Sequence, residues 1–210
     1  MDEPGPIDTS SFRELAHEMS NSLAYVVTNL NLLNEELESA DPRVRALVED
    51  ALEGSERIGG LVRTLRRLSW GAERPDAGPP TQAEPSSKAR ILVIDDEQAI
   101  LTAVKRALRS HQVSVVTSAE EALRKLEANE FELVLCDLMM PGMTGIELYH
   151  ELERTHKSVL GHLVFMTAGG FTSEVRHFLA SVDNGVLHKP FDVKTLRWVV
   201  SQKLNDQRAR

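Results

Sequence analysis

The segment Arg90-Ile-Leu-Val-Ile-Asp95-Asp-Glu97 places four consecutive apolar residues directly before three acids. A short apolar run of this kind is typical of a buried parallel strand. Similar runs recur downstream and alternate with segments of helical periodicity. Strands are expected at 90–95, 113–116, 131–136, 162–166 and 185–187, and helices near 98–110, 119–128, 145–155, 172–182 and 192–204. Five such units predict a doubly wound parallel sheet with helices on both faces.

Polar residues stand where the predicted strands end. Asp95-Asp96-Glu97 follow the first strand, Asp137 the third, Thr167 the fourth and Lys189 the fifth. Because ligands of a doubly wound sheet bind at the carboxyl ends of its strands, these side chains are expected to share one crevice. Crowded carboxylates repel one another unless a cation compensates their charge. Mg²⁺, which prefers oxygen ligands and keeps part of its water shell, suits such an open site.

Asp137 is the candidate nucleophile of this crevice. An aspartate carboxylate can attack a phosphoryl group in line. The metal ion, the Lys189 ammonium and the Thr167 hydroxyl would then take up the charge on the phosphoryl oxygens. The sequence therefore predicts phosphoryl transfer at Asp137.

Four motifs carry these residues: IDDE at 94–97, DLMMPGMTG at 137–145, MTA at 166–168 and KPF at 189–191. With them, residues 88–205 resemble the receiver domain of response regulators. The resemblance implies a flavodoxin-like sheet of strand order 2-1-3-4-5, with Asp137 as the phosphoacceptor. It also implies Thr167 as the switch hydroxyl and Lys189 as the phosphate-sensing cation. The implied Mg²⁺ ligands are Asp95, Asp96, Asp137 and Met139.

Two positions of this half need separate interpretation. The family usually carries an aromatic residue three positions before the lysine, where this chain has Val186. Output through the fourth and fifth helices of the domain is therefore expected to be weak or altered. Cys136 follows a buried strand pattern and has no basic neighbour to activate it, so it is interpreted as a core residue and not as a reactive thiol.

The first 70 residues follow a helical pattern. Apolar residues at heptad spacing between Phe12 and Leu37 predict one helix, and Asp41-Pro42 predicts the start of a second, whose apolar positions run from Val44 to Leu68. The short connection predicts an antiparallel helical hairpin. The expected domains are a disordered N-terminus at 1–9, the hairpin at 10–70, a flexible linker rich in proline and glycine at 71–87, and the receiver-like domain at 88–210.

The apolar seams of the hairpin need a partner. A single hairpin cannot cover both seams, whereas two hairpins that pair into a four-helix bundle can. The sequence therefore predicts a homodimer through residues 12–69. The alternative is a hairpin docked on the C-terminal half of the same chain.

His17 and Asn21 lie four residues apart and share one helix face, which is expected to be exposed. A helical zinc motif of the H-E-x-x-H type would need a histidine at position 21. The sequence from Phe12 to Leu37, followed by ALEGSERIGGLVRTLRRLS at 51–69, resembles the dimerisation and histidine-phosphotransfer domain of sensor histidine kinases.

That second resemblance implies His17 as a phosphoacceptor, Glu18 as the residue that orients or deprotonates it, and Asn21 as a residue that aligns water against an aspartyl phosphate. Ser22 stands where the family often has proline, which softens the expected helix bend. The alternative for this segment is a purely structural dimerisation hairpin.

Charge and cysteine content restrict the partners. Residues 1–87 carry eight basic and 16 acidic side chains, whereas residues 88–210 carry 16 of each, so neither half offers the positive field that nonspecific nucleic-acid binding requires. No run of about 18 to 20 apolar residues predicts a membrane span. The single cysteine and the absence of a signal-like N-terminus favour a cytoplasmic protein.

The linker leads directly from the hairpin to the receiver-like domain, which leaves no room between them for an ATP-binding domain, and no phosphate-binding loop of the G-x-x-x-x-G-K-[ST] type is present. The leading hypothesis is a phosphorelay protein that passes phosphate between His17, Asp137 and external partners without kinase activity of its own. The expected partners are a kinase catalytic domain and response regulators. The alternatives are a phosphatase of aspartyl phosphate and a noncatalytic dimeric scaffold.

Overall fold

The computed structural model describes residues 9–37, 42–70, 88–168 and 173–208. The N-terminal helices are α1 (Thr9–Glu36) and α2 (Pro42–Trp70). The C-terminal elements are β1 (Arg90–Ile94), α3 (Gln98–Ala107), β2 (Gln112–Val116), α4 (Ala119–Ala128), β3 (Leu133–Asp137), α5 (Gly145–Thr155), β4 (Leu163–Thr167), α6 (Ser173–Ser181), β5 (Gly185–His188) and α7 (Val193–Arg208). Residues 1–8 and the predicted linker 71–87 lie outside the described ranges.

The five strands form one parallel sheet of order β2-β1-β3-β4-β5, which confirms the predicted order. Three strand starts differ from the predicted ones. β2 begins at Gln112, one residue earlier than expected. A 3₁₀ helix occupies Lys157–His162, so β4 begins one residue later than expected. β3 begins at Leu133, two residues later than expected. Just before it, the Glu132 carboxylate accepts a hydrogen bond from the Arg90 amide at 2.6 Å.

The sheet carries a hydrophobic core on each face, as expected where helices cover both sides of a parallel sheet. Alternate residues of β1 divide between the faces, with Ile91 and Val93 on one and Leu92 and Ile94 on the other. The first core lies under α3 and α7, and the second under α4, α5 and α6. Both cores end at the carboxyl edge of the strands, where the polar residues begin.

The helix α1 packs against both α2 and α3. Ala24 and Leu32 of α1 are buried in the same core as the residues of α3. Asn21 donates to the carboxylate of Glu97 just before α3 begins, and Asn29 accepts from Arg106 near the end of α3 at 3.4 Å. Because the later residue of α1 contacts the later residue of α3, the two helices run in the same direction.

The residues of α3 explain how it contacts the sheet and α1 at once. Its buried positions are 100, 101, 103, 104 and 107. At 3.6 residues per turn they span about 160° of the helix surface. A helix that only covers a sheet needs a stripe of about 100°. The additional width is the surface that α1 covers.

One apolar face of the N-terminal helices, distinct from the surfaces that pack against other helices, stays exposed. Met19, Val26 and Leu33 of α1 are spaced seven residues apart, and each has just over 40% of its surface exposed. On α2, Leu47 and Leu61 are 69% and 61% exposed. These positions belong to the apolar seams that the sequence predicts. None of the helices in the described ranges combines the length and apolar character needed to cross a membrane.

Candidate functional site

The acidic pocket lies at the carboxyl edge of the sheet and consists of Asp95, Asp96, Asp137, Thr167 and Lys189. Asp95 directly follows β1, Asp137 and Thr167 are the last residues of β3 and β4, and Lys189 directly follows β5. The backbone amide of Lys189 donates to the Thr167 carbonyl at 2.6 Å, which holds the two strand ends together. The structure thus brings together five of the six residues that the sequence predicts for this crevice, and Glu97, the sixth, is not one of its clustered carboxylates.

Lys189 lies between two carboxylates inside the pocket. Its ammonium donates to Asp95 Oδ2 at 2.6 Å and to Asp137 Oδ2 at 2.7 Å, and all three side chains are fully buried. Burial alone would lower the pKa of the Lys189 ammonium, but the charges of Asp137 and Asp95 raise it overall. The lysine therefore remains a cation, able to balance negative charge on the two buried carboxylates.

The pocket has the donor set of a hard divalent cation. Carboxylate oxygens of Asp95, Asp96 and Asp137 all lie within 4.8 Å of one another, and Asp96 is exposed while the other two are buried. Among the described residues this is the one such cluster. Burial raises the pKa of Asp95 to about 7 against the opposing effect of Lys189. Carboxylates held this close, with one open side, fit Mg²⁺ with part of its water shell.

The backbone after β3 holds Asp137 in place. The Met139 amide donates to Asp137 Oδ1 at 3.0 Å, so both oxygens of this carboxylate have donors. The Met139 side chain is 45% exposed and offers no oxygen, so a ligand from this residue would be its backbone carbonyl. Gly145 begins α5 where an added Cβ would meet the Asp137 carbonyl and lie 2.9 Å from Leu138 Cα. Only glycine fits this approach.

The helix α5 begins with a capping box next to this loop. The Thr144 hydroxyl accepts from the Glu147 amide at 3.2 Å, and Glu147 Oε2 accepts from the Thr144 amide at 2.8 Å. Hydrogen bonds from the Thr144 backbone and hydroxyl lower the pKa of Glu147. The cap fixes the start of α5 and thereby the loop that follows Asp137.

Asn21 reaches the edge of the pocket from α1. Its amide donates to the carboxylate of Glu97, which occupies the N-cap position of α3 without a side-chain cap and follows the two acids of the pocket. The expectation that the face of Asn21 is exposed is wrong, because Asn21 is only 1% exposed and packs against the C-terminal domain. The sequence places Glu97 with the acids of the crevice but does not show its contact with Asn21. The signal that could have shown it is the broad apolar surface of α3.

His17 and Glu18 lie on α1, but their side chains belong to the part of the chain that the structure does not describe. Position 17 is one helical turn, about 6 Å along the axis, before Asn21. Because α1 and α3 are parallel, this direction leads past the start of α3, toward the edge of the sheet that carries the pocket. The role of His17 stays a prediction.

Val186 and Cys136 are the two positions that the sequence singled out near the pocket. Val186 pairs with Phe165 in the β4–β5 register. Each precedes a residue of the acidic pocket on its own strand, because β4 ends at Thr167 and Lys189 directly follows β5. Phe165 packs against Phe178 and Tyr149, with ring centroids 5.3 and 6.0 Å away. Cys136 is fully buried in the core, and burial raises the pKa of its thiol, which confirms its interpretation as a core residue.

Comparisons with known proteins agree with this geometry. The chain is 32% identical over 126 residues to the sensor kinase CckA of Brucella abortus, which covers 58% of this chain and 13% of that protein. It is 34% identical over 137 residues to the sensor protein GacS of Pseudomonas syringae, covering 61% of this chain and 14% of that protein. The chain therefore spans only a small part of the length of these relatives.

A solved receiver domain from Methanospirillum hungatei is similar in structure. It superposes with a TM-score of 0.52 at 31% identity, covering 59% of this chain and 98% of that domain. The family model described as the response regulator receiver domain matches residues 91–201, just over half of the chain. The chain belongs to the response regulator receiver family through this domain.

Proposed function

We propose that this chain is a two-component phosphorelay protein that exchanges a phosphoryl group between Asp137, His17 and external partners, without ATP-dependent kinase activity of its own. Membership of the receiver family makes it a phosphoryl-accepting component of two-component signalling. The observation that carries the finer proposal is the contact between Asn21 of α1 and Glu97 at the pocket. It supports a route from the helix that bears His17 to Asp137.

At Asp137, an oxygen of the carboxylate attacks the phosphorus of the donor in line. The new P–O bond forms as the bond to the donor breaks, and the leaving group keeps the electron pair. Lys189, already 2.7 Å from Asp137, can stabilise negative charge on the phosphoryl oxygens, and we propose that the Thr167 hydroxyl shares this role. Mg²⁺, held by Asp95, Asp96, Asp137 and the Met139 carbonyl, would supply further charge neutralisation.

At His17, the neutral imidazole acts as nucleophile or leaving group, because its ordinary pKa lies near neutral pH. When phosphate moves from His17 to Asp137, the P–N bond breaks, and the imidazole nitrogen keeps the electron pair and takes up a proton. The reverse transfer uses the same atoms. We propose Glu18 as the residue that assists this proton transfer.

The external partners in this proposal are a histidine kinase catalytic domain, which would phosphorylate His17, and response regulators. Two relatives, a sensor kinase and a sensor protein, support this assignment, because each contains a segment that is similar to this chain. The acidic N-terminal half favours partners with a complementary basic surface. We propose no direct role for nucleic acid.

We further propose that residues 12–69 form a helical hairpin that pairs with a second copy as a four-helix bundle. The exposed residues Met19, Val26 and Leu33 support this, since their seven-residue spacing is the one that a packed helical partner requires. They lie apart from Ala24 and Leu32, which are buried with α3. Docking on the receiver domain and dimerisation are therefore compatible.

A second candidate function is hydrolysis of the aspartyl phosphate. It is favoured by the same contact, because Asn21 lies at the edge of the pocket and an amide side chain can orient a water molecule. In that case Asn21→Ala lengthens the lifetime of phosphorylated Asp137, measured as release of inorganic phosphate from the isolated phosphoprotein. An unchanged lifetime would contradict the phosphatase function.

The acceptor is tested by incubating the full chain with acetyl phosphate and Mg²⁺ and locating the acyl phosphate by mass spectrometry after borohydride reduction. The wild-type chain should be modified at Asp137, and removal of Mg²⁺ with EDTA should abolish the reaction. Asp137→Asn should remove the modification, whereas the control Asp183→Asn, at an exposed position, should retain it. Modification that persists in Asp137→Asn would contradict the proposal.

A further inference from the structure

A series of hydrogen bonds, joined through the residue Glu97, connects the phosphoacceptor with α1. Lys189 joins Asp137 Oδ2 to Asp95 Oδ2 at 2.7 and 2.6 Å. The other oxygen of Asp95 accepts from the Glu97 amide at 3.0 Å. The carboxylate of Glu97 in turn accepts from Asn21. Glu97 therefore contacts a carboxylate of the pocket through its backbone and the N-terminal helix through its side chain.

We propose that Glu97 is a positioning residue that couples the docking of α1 on α3 to Mg²⁺ binding in the acidic pocket. The inference rests on the proposed Mg²⁺ site and adds to it a regulator built into the same chain. Docking of α1 on α3 fixes the side chain of Glu97 through Asn21. It thereby restricts the conformation of the loop from Asp95 to the start of α3. Two of the three carboxylates of the site stand on this loop.

The direction of the coupling follows from preorganisation. A metal site binds more tightly when its ligands are already held in place, because less conformational freedom is lost on binding. The docked chain therefore binds Mg²⁺ more tightly than the undocked chain. Coupling between two binding events is reciprocal, so Mg²⁺ must also strengthen the docking of α1.

Glu97 is not itself one of the clustered carboxylates. The cluster of close carboxylates contains Asp95, Asp96 and Asp137 but not Glu97, although Glu97 is adjacent in sequence. Glu97 therefore acts through its neighbours and does not coordinate the metal ion.

The test measures Mg²⁺ affinity of the full chain by calorimetric titration, without any phosphodonor. Two variants release α1 in different ways: Asn21→Ala removes the contact to Glu97, and Ala24→Glu places a charge at a fully buried position between α1 and α3. Each should weaken Mg²⁺ binding about fivefold or more. The new carboxylate of Ala24→Glu would by itself attract Mg²⁺, so weaker binding there cannot be a direct charge effect.

The matched control is Ala46→Glu, the same substitution at an exposed position of α2, which should leave Mg²⁺ affinity unchanged. A double-mutant cycle identifies the route: once Glu97→Ala is present, adding Asn21→Ala should have no further effect. As the reciprocal readout, Mg²⁺ should slow amide hydrogen exchange in residues 19–32 of the wild-type chain and not in Asn21→Ala.

Equal Mg²⁺ affinity in wild type, Asn21→Ala and Ala24→Glu would overturn the coupling, and so would additive effects in the cycle. A wild-type chain that binds no Mg²⁺ would overturn both the coupling and the metal site on which it rests. Neither result depends on whether His17 exchanges phosphate. Failure of the relay is therefore distinguishable from failure of this inference.

Discussion

Lys189 is the single buried cation between two buried carboxylates in the described part of the pocket, within 2.7 Å of both Asp95 and Asp137. Removing a partner from a buried ion pair leaves charge that neither solvent nor protein compensates. The same ammonium compensates the charge of the two carboxylates before phosphorylation. In the proposed reaction it also binds the phosphoryl oxygens. Its effect on stability can be separated from its effect on chemistry.

Lys189→Met is therefore expected to destabilise the metal-free chain by about 3 kcal/mol at neutral pH, because Asp95 and Asp137 lose their counter-charge. Mg²⁺ should recover part of this loss by binding the same carboxylates. Urea unfolding with Mg²⁺ and with EDTA measures both effects. Lys194→Met, at an exposed position, should change neither curve. Identical midpoints for Lys189→Met and wild type in EDTA would contradict the prediction.

Asp95 gives the pocket a pH dependence of known sign. Its pKa is about 7 in the folded chain, above the value of about 3.9 for an unperturbed aspartate. Between these values the folded state holds a proton that the unfolded state has released. The contribution of Asp95 to stability is therefore fully present below about pH 4 and is lost as the pH rises to about 7.

The measurement compares the metal-free wild-type chain with Asp95→Asn in urea unfolding experiments from pH 4 to pH 8. The free energy of unfolding of wild type relative to Asp95→Asn should fall across this range and level off above pH 7, since asparagine does not titrate. A difference that stays constant, or that increases with pH, would show that Asp95 is ionised throughout.

At the scale of the elements, the turn between β3 and α5 fixes the position of the phosphoacceptor. Gly145→Ala would bring a Cβ against the Asp137 carbonyl and Leu138 Cα, which are backbone atoms that cannot turn away. We expect a loss of about 2 kcal/mol in stability and slower phosphorylation of Asp137. Urea unfolding and the acetyl phosphate assay measure the two effects.

The control for this prediction is Gly161→Ala, because an added Cβ at position 161 meets no atom within 4 Å. It should unfold and react like wild type. A Gly145→Ala chain that also matched wild type would show that the turn tolerates a side chain and does not fix Asp137.

The elements of the C-terminal half could be predicted from the sequence because each signal is local. Four buried residues before Asp95 indicate a strand, and the end of that strand indicates the place of the carboxylate. The strand order came from the family resemblance and is confirmed. The 3₁₀ helix at 157–162 was missed, because it has no apolar periodicity of its own.

The contact of α1 with α3 was predicted only as the alternative of a hairpin docked on the C-terminal half, because it joins segments far apart in sequence. Periodicity shows that Asn21 and Ala24 share a side of the helix with position 17, but it does not show what covers that side. The interpretation of this face as exposed followed from assigning the apolar seam alone to an interface. Small and polar residues such as Ser20 and Asn21, both fully buried, also pack against partners.

At the scale of the whole molecule, α1 contacts α2 and α3 and, less extensively, α7. The residues Met19, Val26 and Leu33 of α1 remain exposed. An apolar row of this length on a pair of helices is typical of an interface. The proposed dimer covers it and leaves the acidic pocket of each chain with its own α1.

The dimer predicts that Leu47→Glu and Leu61→Glu, at the two most exposed apolar positions of α2, shift the chain from dimer to monomer. Sedimentation velocity at micromolar concentration measures the change. Ala46→Glu adds the same charge beside the seam and should leave the dimer intact. A wild-type chain that sediments as a monomer at tens of micromolar would contradict the four-helix bundle.

The relay itself is tested most directly by incubating the full chain with radiolabelled acetyl phosphate and Mg²⁺ and separating phosphohistidine from aspartyl phosphate by their different stability in acid and base. We expect phosphohistidine in wild type and none in either His17→Ala or Asp137→Ala, because the phosphoryl group reaches His17 only through Asp137. Aspartyl phosphate should persist in His17→Ala. Wild-type protein that forms aspartyl phosphate but no phosphohistidine, with a lifetime that does not respond to His17→Ala, would contradict the relay.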